Sequence, residues 1–319
     1  LNILITGITG FVGSHLADFI VNHYQHRVYG LARWRSPLDN ISHLLINRSI
    51  TLRFGDLLDL ESIEKVIDSV RPNIIFHLAA QSYVPYSHTA PISTLQTNVI
   101  GSANLFFAAR RAECVKMVHV CSSSEVYGQP EYTPMDEAHP LNPVSPYGVS
   151  KAAVDLLAQE EYEAHGLPTV RTRAFTHTGP RRGDVFVASA FAKQIVEVEM
   201  GHRDTINVGN LTSIRTFCDV RDMVRAYWLT QFCSFGQVYN IGGCETMSIE
   251  NMLQILISLS TAKIEYKSDL SLFRHTDVTL QIPDTKKFTE KTGWEPEIPL
   301  RRTLNDLLEY HRAKARKNG

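Results

Sequence analysis

The feature that most constrains the fold stands at the start of the chain. A short apolar run, residues 2–6, leads directly into Thr6-Gly7-Ile8-Thr9-Gly10-Phe11-Val12-Gly13-Ser14, and then into a stretch whose apolar residues fall three and four apart. Strand, glycine-rich turn and amphipathic helix in that order make the first half of a strand–helix–strand unit. Glycines at this spacing permit the tight turn and let the backbone approach a pyrophosphate, whose charge then rests on the free N–H groups at the helix N-terminus. Gly7, Thr9, Gly10, Phe11, Val12 and Gly13 are therefore expected to surround a dinucleotide.

The same rhythm continues. Strand-like runs are expected at 2–6, 27–31, 51–54, 74–78, 117–121 and 169–175, with helical patterns at 13–23, 60–70, 92–110 and 147–164 between them. Strand alternating with helix over this length predicts a doubly wound parallel α/β sheet of Rossmann type. Burial on both faces explains why Ile74, Ile75 and Phe76 follow one another without a polar break. After Phe175 the alternation stops. The stretch 180–221 is rich in Gly, Arg and Asn, helical patterns recur near 220–230 and 249–259, and a last helix starts about Leu300 and runs into a basic tail expected to be frayed. Residues 1–178 are read as the dinucleotide-binding domain. Residues 179–319 are read as mainly a smaller, mixed α/β substrate domain, with some segments returning to the first.

Composition narrows the partners. Of 319 residues 44% are hydrophobic and 20% charged, and 32 basic against 33 acidic side chains leave a formal net charge of -1. That balance points to no nucleic-acid or anionic-membrane partner, so an anionic ligand must meet a local cluster of Arg and Lys. Cys114, Cys121, Cys218, Cys233 and Cys244 are odd in number and scattered through apolar stretches, which reads as reduced core residues. With no basic leader and no apolar run long enough for a bilayer, the expected compartment is the cytoplasm. His77, His119 and His177 flank strand-like runs and read as core or loop residues, and no metal site is expected.

Two local patterns point to chemistry. The second strand ends in Ala32-Arg33-Trp34-Arg35 with no acidic residue, so Arg33 and Arg35 are expected to receive a ribose 2′-phosphate, favouring NADP with NAD as the other option; Asp56 is a candidate for the adenine edge. Further on, Ser145-Pro146-Tyr147-Gly148-Val149-Ser150-Lys151 opens a helix at its proline. Tyr147 and Lys151, four apart, share a helical face, and the ammonium is expected to lower the phenol's pKa and make it a usable acid or base. Ser122-Ser123-Ser124-Glu125 stands at the end of the fifth strand, where folds of this type place their ligands.

These motifs together resemble the extended short-chain dehydrogenase/reductase family, and the resemblance takes in His77-Leu78-Ala79-Ala80-Gln81-Ser82, Asn98 and Ser-Pro-Tyr-Gly-Val-Ser-Lys. It implies an enzyme acting on a nucleotide sugar, with Ser123, Glu125, Tyr147 and Lys151 catalytic. Cofactor contacts are implied at the glycine-rich turn, at Arg33, Arg35, Asp56 and Leu57, at Leu78, Ala79, Ala80, Ser82 and Asn98, and at Tyr147 and Lys151 themselves.

Gly179-Pro180-Arg181-Arg182-Gly183 and Val208-Gly209-Asn210-Leu211 are similar to the GDP-mannose branch of that family. What this implies is a GDP-linked sugar gripped by Ser82, Ser123, Ser124, Glu125, Thr176, Arg181, Val187, Asn210, Arg215, Arg274 and Asp277. A 4,6-dehydratase reading rests on Glu125 as a second acid/base. A 4-keto-6-deoxy sugar reductase reading rests on likenesses beyond residue 186, such as Asp219-Val220-Arg221-Asp222 and Thr292-Gly293-Trp294. An epimerase and a non-catalytic dinucleotide-binding protein are the remaining alternatives. The resemblance also implies a homodimer packed through 92–110 and 147–164, or a tetramer using the 33–44 loop.

Overall fold

A computed structural model describes residues 1–273 and 278–318. Seven strands form one parallel sheet in the order Val238–Ile241, Thr169–Ala174, Met117–Cys121, Ile74–His77, Asn2–Thr6, Arg27–Ala32 and Ile50–Phe54. The strand rhythm explains its two-sided burial. Ile3 and Ile5 enter one hydrophobic core while Leu4 enters the other, and Ile74 with Phe76 divide from Ile75 in the same way. Helix Phe11–His23 packs on the first face, and helices Leu60–Val70 and Pro146–His165 on the second.

The first core also takes in helix Val220–Leu229, strand Val238–Ile241 and helix Lys286–Thr292, through Tyr227, Trp228, Tyr239, Phe288 and Trp294. A separate core forms where helices Val187–Glu199, Ile249–Ser258 and Leu300–Asn318 meet, around Phe191, Ile195, Leu253, Leu304 and Leu308. The chain thus crosses between the two lobes repeatedly, and the cleft lies where they face each other.

Several local expectations need correction. Residues 92–110 are not one α-helix: a turn Pro91–Leu95 passes through a π-turn, Gln96–Ile100, into helix Gly101–Arg110. The basic tail is helical to Asn318, and its first residue is anchored, since Arg312 Nε donates to Glu199 at 2.8 Å. The 180–221 stretch contains helix Val187–Glu199, whose signal, Ala188, Phe191, Ala192 and Ile195 at three and four apart, is easily overlooked beside its glycines and arginines. Only Cys218 and Cys233 are buried; Cys244 is exposed, and Cys114 and Cys121 are half-buried because their strand and loop ends open toward solvent or the cleft.

Candidate active site

The cleft between the lobes has a volume of about 930 Å³ and runs from the first glycine-rich turn to strand Ile214–Asp219. At one end its wall is backbone. Gly7 adopts φ +73°, a left-handed conformation that suits glycine. A Cβ added there would stand 2.8 Å from the Ala79 nitrogen, and one on Gly13 would stand 2.2 Å from the Gly7 oxygen. The turn is therefore compact enough to bare the N-terminus of helix Phe11–His23. Gly7, Thr9, Gly10, Phe11, Val12, Gly13, Asp56, Leu57, Leu78, Ala79, Ala80 and Ser82 all border the cleft.

Thr6 ties this end together. Its hydroxyl accepts from the Leu78 and Ala79 nitrogens, each at 3.2 Å, and meets His77 Nδ1 at 2.8 Å, while His77 Nε2 meets Ser102 Oγ at 2.8 Å. Burial, with Lys151 nearby, lowers the His77 pKa to about 3, so the ring is a neutral hydrogen-bonding strut. His119 is likewise pushed to about 3 and His177 to about 4, burial being the leading cause in each. Among the described residues no group of three His, Cys, Asp or Glu side chains is placed to hold a metal ion.

Two assignments at the cofactor end change. Arg33 borders the cleft, whereas Arg35, two residues further along the exposed turn that follows strand Arg27–Ala32, does not. Asn98 is buried behind the wall. Its Oδ1 accepts from the Gln81 nitrogen at 2.8 Å, and its Nδ2 donates to the Gln81 carbonyl at 3.0 Å and to Ser150 Oγ at 2.9 Å. Sitting in the π-turn, it pins the 78–82 loop to the helix that carries Tyr147 and takes no direct place in the cleft.

The reactive groups come from three elements. Ser145 caps helix Pro146–His165 by accepting from the Gly148 nitrogen at 3.0 Å, and Pro146 starts it, so Tyr147 lies in the first turn and Lys151 one turn later. Both are buried and border the cleft. Ser123, Ser124 and Glu125 border it from the end of strand Met117–Cys121, with the Glu125 nitrogen donating to Ser123 Oγ at 3.2 Å.

The expected coupling of Lys151 to the phenol is not what governs it. Burial pushes the Tyr147 pKa well up, a hydrogen bond with Ser123 pulls it down, Cys121 and Glu125 add to the rise, and Arg182 opposes it. Lys151 donates to the Cys121 carbonyl at 2.7 Å, and burial lowers its own pKa.

Behind these residues lies a buried ionic cluster. Asp155, two turns along the same helix, accepts from Arg171 Nη1 at 2.9 Å and Arg173 Nε at 3.0 Å. Arg173 also donates to the Tyr127 hydroxyl at 3.1 Å, which donates to Asn240 at 2.6 Å. One network thus fixes both the Tyr147 helix and the segment following Glu125.

At the far end Thr176, Val187, Asn210 and Arg215 border the cleft, and Arg274 and Asp277 lie outside the described residues. Arg181 turns away, pairing with Asp18 at 2.7 Å, and its neighbour Arg182 enters instead, stacked 3.5 Å over the Phe186 ring and 4.9 Å from that of Phe11. Arg181 has φ +69°, and this backbone turn explains why the two arginines face opposite ways. The sequence signal for both was the same Arg-Arg pair; only the turn selects one. His177 and Gln281 also border the cleft without having been singled out for it.

Comparison with known proteins identifies the arrangement. The sequence matches the family model described as GDP-mannose 4,6 dehydratase across residues 4–307. This chain belongs to the GDP-mannose 4,6 dehydratase family. Relatives include the GDP-mannose 4,6 dehydratase of Cricetulus griseus, 28% identical over 335 residues, with 96% of this chain and 90% of that protein covered. The GDP-6-deoxy-D-mannose reductase of Pseudomonas aeruginosa is also 28% identical, over 318 residues and 98% of both chains. Among solved structures, RMD from Pseudomonas aeruginosa complexed with NADPH superposes with a TM-score of 0.85 at 27% identity, covering 98% of this chain and 100% of that one. The UDP-glucose 4-epimerase of Thermotoga maritima with UDP-glucose gives 0.87 at 28% identity, covering 99% and 100%. Proteins similar to this chain along its whole length thus include a dehydratase, a reductase and an epimerase.

Proposed function

We propose that this protein is a GDP-mannose 4,6-dehydratase that keeps NADP bound through its turnover. The observation that carries the reading is Glu125, which borders the cleft beside Ser123 and is near enough to Tyr147 to raise its pKa. Redox chemistry at C4 needs one acid/base group at that oxygen. Removing the C5 proton and expelling the C6 hydroxyl needs another, and Glu125 is the carboxylate in position.

The residues at the backbone-lined end fit the cofactor: the glycine cradle has no room for side chains, and the bared helix N-terminus with Arg33 suits a phosphate-rich ligand. Phe11, Val12 and Gly13 would meet the pyrophosphate, Arg33 a 2′-phosphate, and Asp56 with Leu57 the adenine side. When bound there, the cofactor would supply a hydride acceptor for C4 and a hydride donor for C6. Tyr147 holds the proton of the C4 oxygen, sharing that oxygen with Ser123. Lys151 stands one turn behind, its ammonium held by the Cys121 carbonyl. Glu125 removes the C5 proton and delivers it to the departing C6 hydroxyl, which leaves as water; C5 then takes up the proton that Tyr147 drew from the C4 hydroxyl, so the chain ends the cycle in its starting protonation state. Asn210 and Arg215, with Arg182 near the reacting centre, supply the polar and cationic contacts a nucleoside diphosphate requires.

The full-length likeness to the Pseudomonas aeruginosa reductase favours a second reading, NADPH-dependent reduction of a GDP-linked 4-keto-6-deoxy sugar, in which Tyr147 gives its proton to the C4 oxygen and Glu125 moves none. Incubating the protein with GDP-mannose and NADP and following mass separates them. The dehydratase yields a product lighter by one water, and Glu125→Gln abolishes that loss while nucleotide binding persists. No water loss, together with NADPH consumption on the 4-keto-6-deoxy sugar nucleotide, makes it the reductase.

Self-association is part of the proposal. Ile92, Ile100, Val149 and Leu156, on the two segments expected to pack in a dimer, are each roughly half exposed or more, an apolar face suited to a second copy. The segment after Arg33 presents Trp34, 81% exposed, for a tetramer contact. No helix among the described residues is long and apolar enough to cross a membrane. Five unpaired cysteines suit a reducing compartment, and we place the protein in the cytoplasm.

A further inference from the structure

We propose that Gln281 is a specificity-determining residue whose carboxamide hydrogen-bonds a hydroxyl of the hexose, beside the Ser123–Glu125 segment. The inference rests on the nucleotide-sugar reading above and assigns the sugar-reading role within it. Gln281 is only 1% exposed, yet it borders the cleft. It lies in strand Leu280–Gln281, paired in parallel register with Arg215 of strand Ile214–Asp219, so the two side chains leave the sheet on the same face. Its Oε1 accepts from Ser124 Oγ at 3.3 Å, which brings the amide against the strand end that carries Ser123 and Glu125. Its Nε2 is buried and has no hydrogen-bond partner among the described residues.

A buried amide end without a partner is uncommon, because burial costs the hydration that a protein partner normally replaces. Here Ser124 occupies one end and the other remains for an incoming group. A sugar hydroxyl both donates and accepts, so it satisfies a carboxamide from either end. Gln281 carries no charge with which to neutralise a phosphate, a task for which Arg215 stands next to it. Its position beside Ser123 and Glu125, where the reacting carbons lie in the proposed mechanism, selects the hexose over the base.

The test compares GDP with GDP-mannose by calorimetry on the full-length, NADP-loaded protein, in wild type, Gln281→Leu and Gln281→Asn, alongside kcat and KM for GDP-mannose. In Gln281→Leu, GDP binding stays within about twofold while GDP-mannose binding weakens and KM rises about tenfold, the loss of one neutral hydrogen bond. Gln281→Asn, which keeps the amide one methylene short, shows the same selective loss to a smaller extent, and it carries the test if the leucine variant fails to fold. Equal weakening of GDP and GDP-mannose would assign Gln281 to the nucleotide and overturn the proposal, as would no change in either. If wild type binds neither ligand, the nucleotide-sugar reading itself falls, and that failure is visible before any variant is made.

Discussion

The two ends of the cleft are built from different materials. The cofactor end is backbone. Gly7, Gly10 and Gly13 lie within seven consecutive residues, and the wall opposite them is another continuous segment, residues 78–82. The far end is side chain, gathered from positions scattered over more than a hundred residues: Thr176, Arg182, Val187, Asn210, Arg215 and Gln281. A backbone-built site tolerates no added atoms but gives its ligand a fixed shape. A side-chain-built site can be altered one contact at a time, which suits a family in which one fold serves dehydratases and reductases.

Gly13→Ala should break the contrast most sharply. Its Cβ would lie 2.2 Å from the Gly7 oxygen, so the turn must move, with a stability cost of about 2 kcal/mol or more. NADP binding should weaken at least ~100-fold, read by fluorescence titration, while truncating Asn210 to Ala at the other end leaves NADP binding unchanged. Retained NADP affinity in Gly13→Ala would show that the cradle is not the cofactor's seat.

A middle-sized effect belongs to the far lobe. Burial works against ionisation of Glu199, but hydrogen bonds from Arg312, Thr261 and Ser260 outweigh it and hold its pKa at about 2, against a usual 4.5. A folded-state pKa below the unfolded one means that this stabilisation is fully present above about pH 4.5 and is lost as pH falls toward 2. Glu199→Gln should therefore cost roughly 2 kcal/mol at pH 7, seen as a lower melting temperature, with the gap to wild type closing as the pH falls through that window. A gap that does not change with pH would show that the Glu199–Arg312 contact acts through packing and not through charge. Because Glu199 ends the helix that begins at Val187, acid should loosen the substrate end of the cleft in particular.

The smallest effect sharpens the cofactor end. Arg33→Ala should weaken NADP about tenfold and leave NAD unaffected, whereas Arg35→Ala should change neither beyond about twofold. Equal losses in both variants would mean that the two arginines act together from solution-facing positions.

Legibility followed the same division. The glycine turn, Ser145-Pro146-Tyr147 and six of the seven strands of the large sheet were readable because each signal is local: a strand's two-faced burial, a helix cap and a tight turn are all written in neighbouring residues. Arg181 and Arg182 show where that ends. They are identical in type and adjacent in sequence, and only the left-handed turn at Arg181 sends one to Asp18 and the other into the cleft. Asn98 shows a different limit, since a motif position can be correct while its contact is one layer removed, bonding Gln81 and Ser150 behind the wall.

By itself the sequence determined the parallel sheet, the turn that bares a helix N-terminus, and a Tyr/Lys pair on one helical face, because these depend on spacing along a few turns or strands. The tertiary structure decided which charged side chains border the cleft, that burial shifts the Tyr147 and Lys151 pKa values, and that Gln281 lies next to Ser124 across 157 residues of chain. Those outcomes depend on desolvation and on contacts between distant segments, and neither exists until the two lobes have packed.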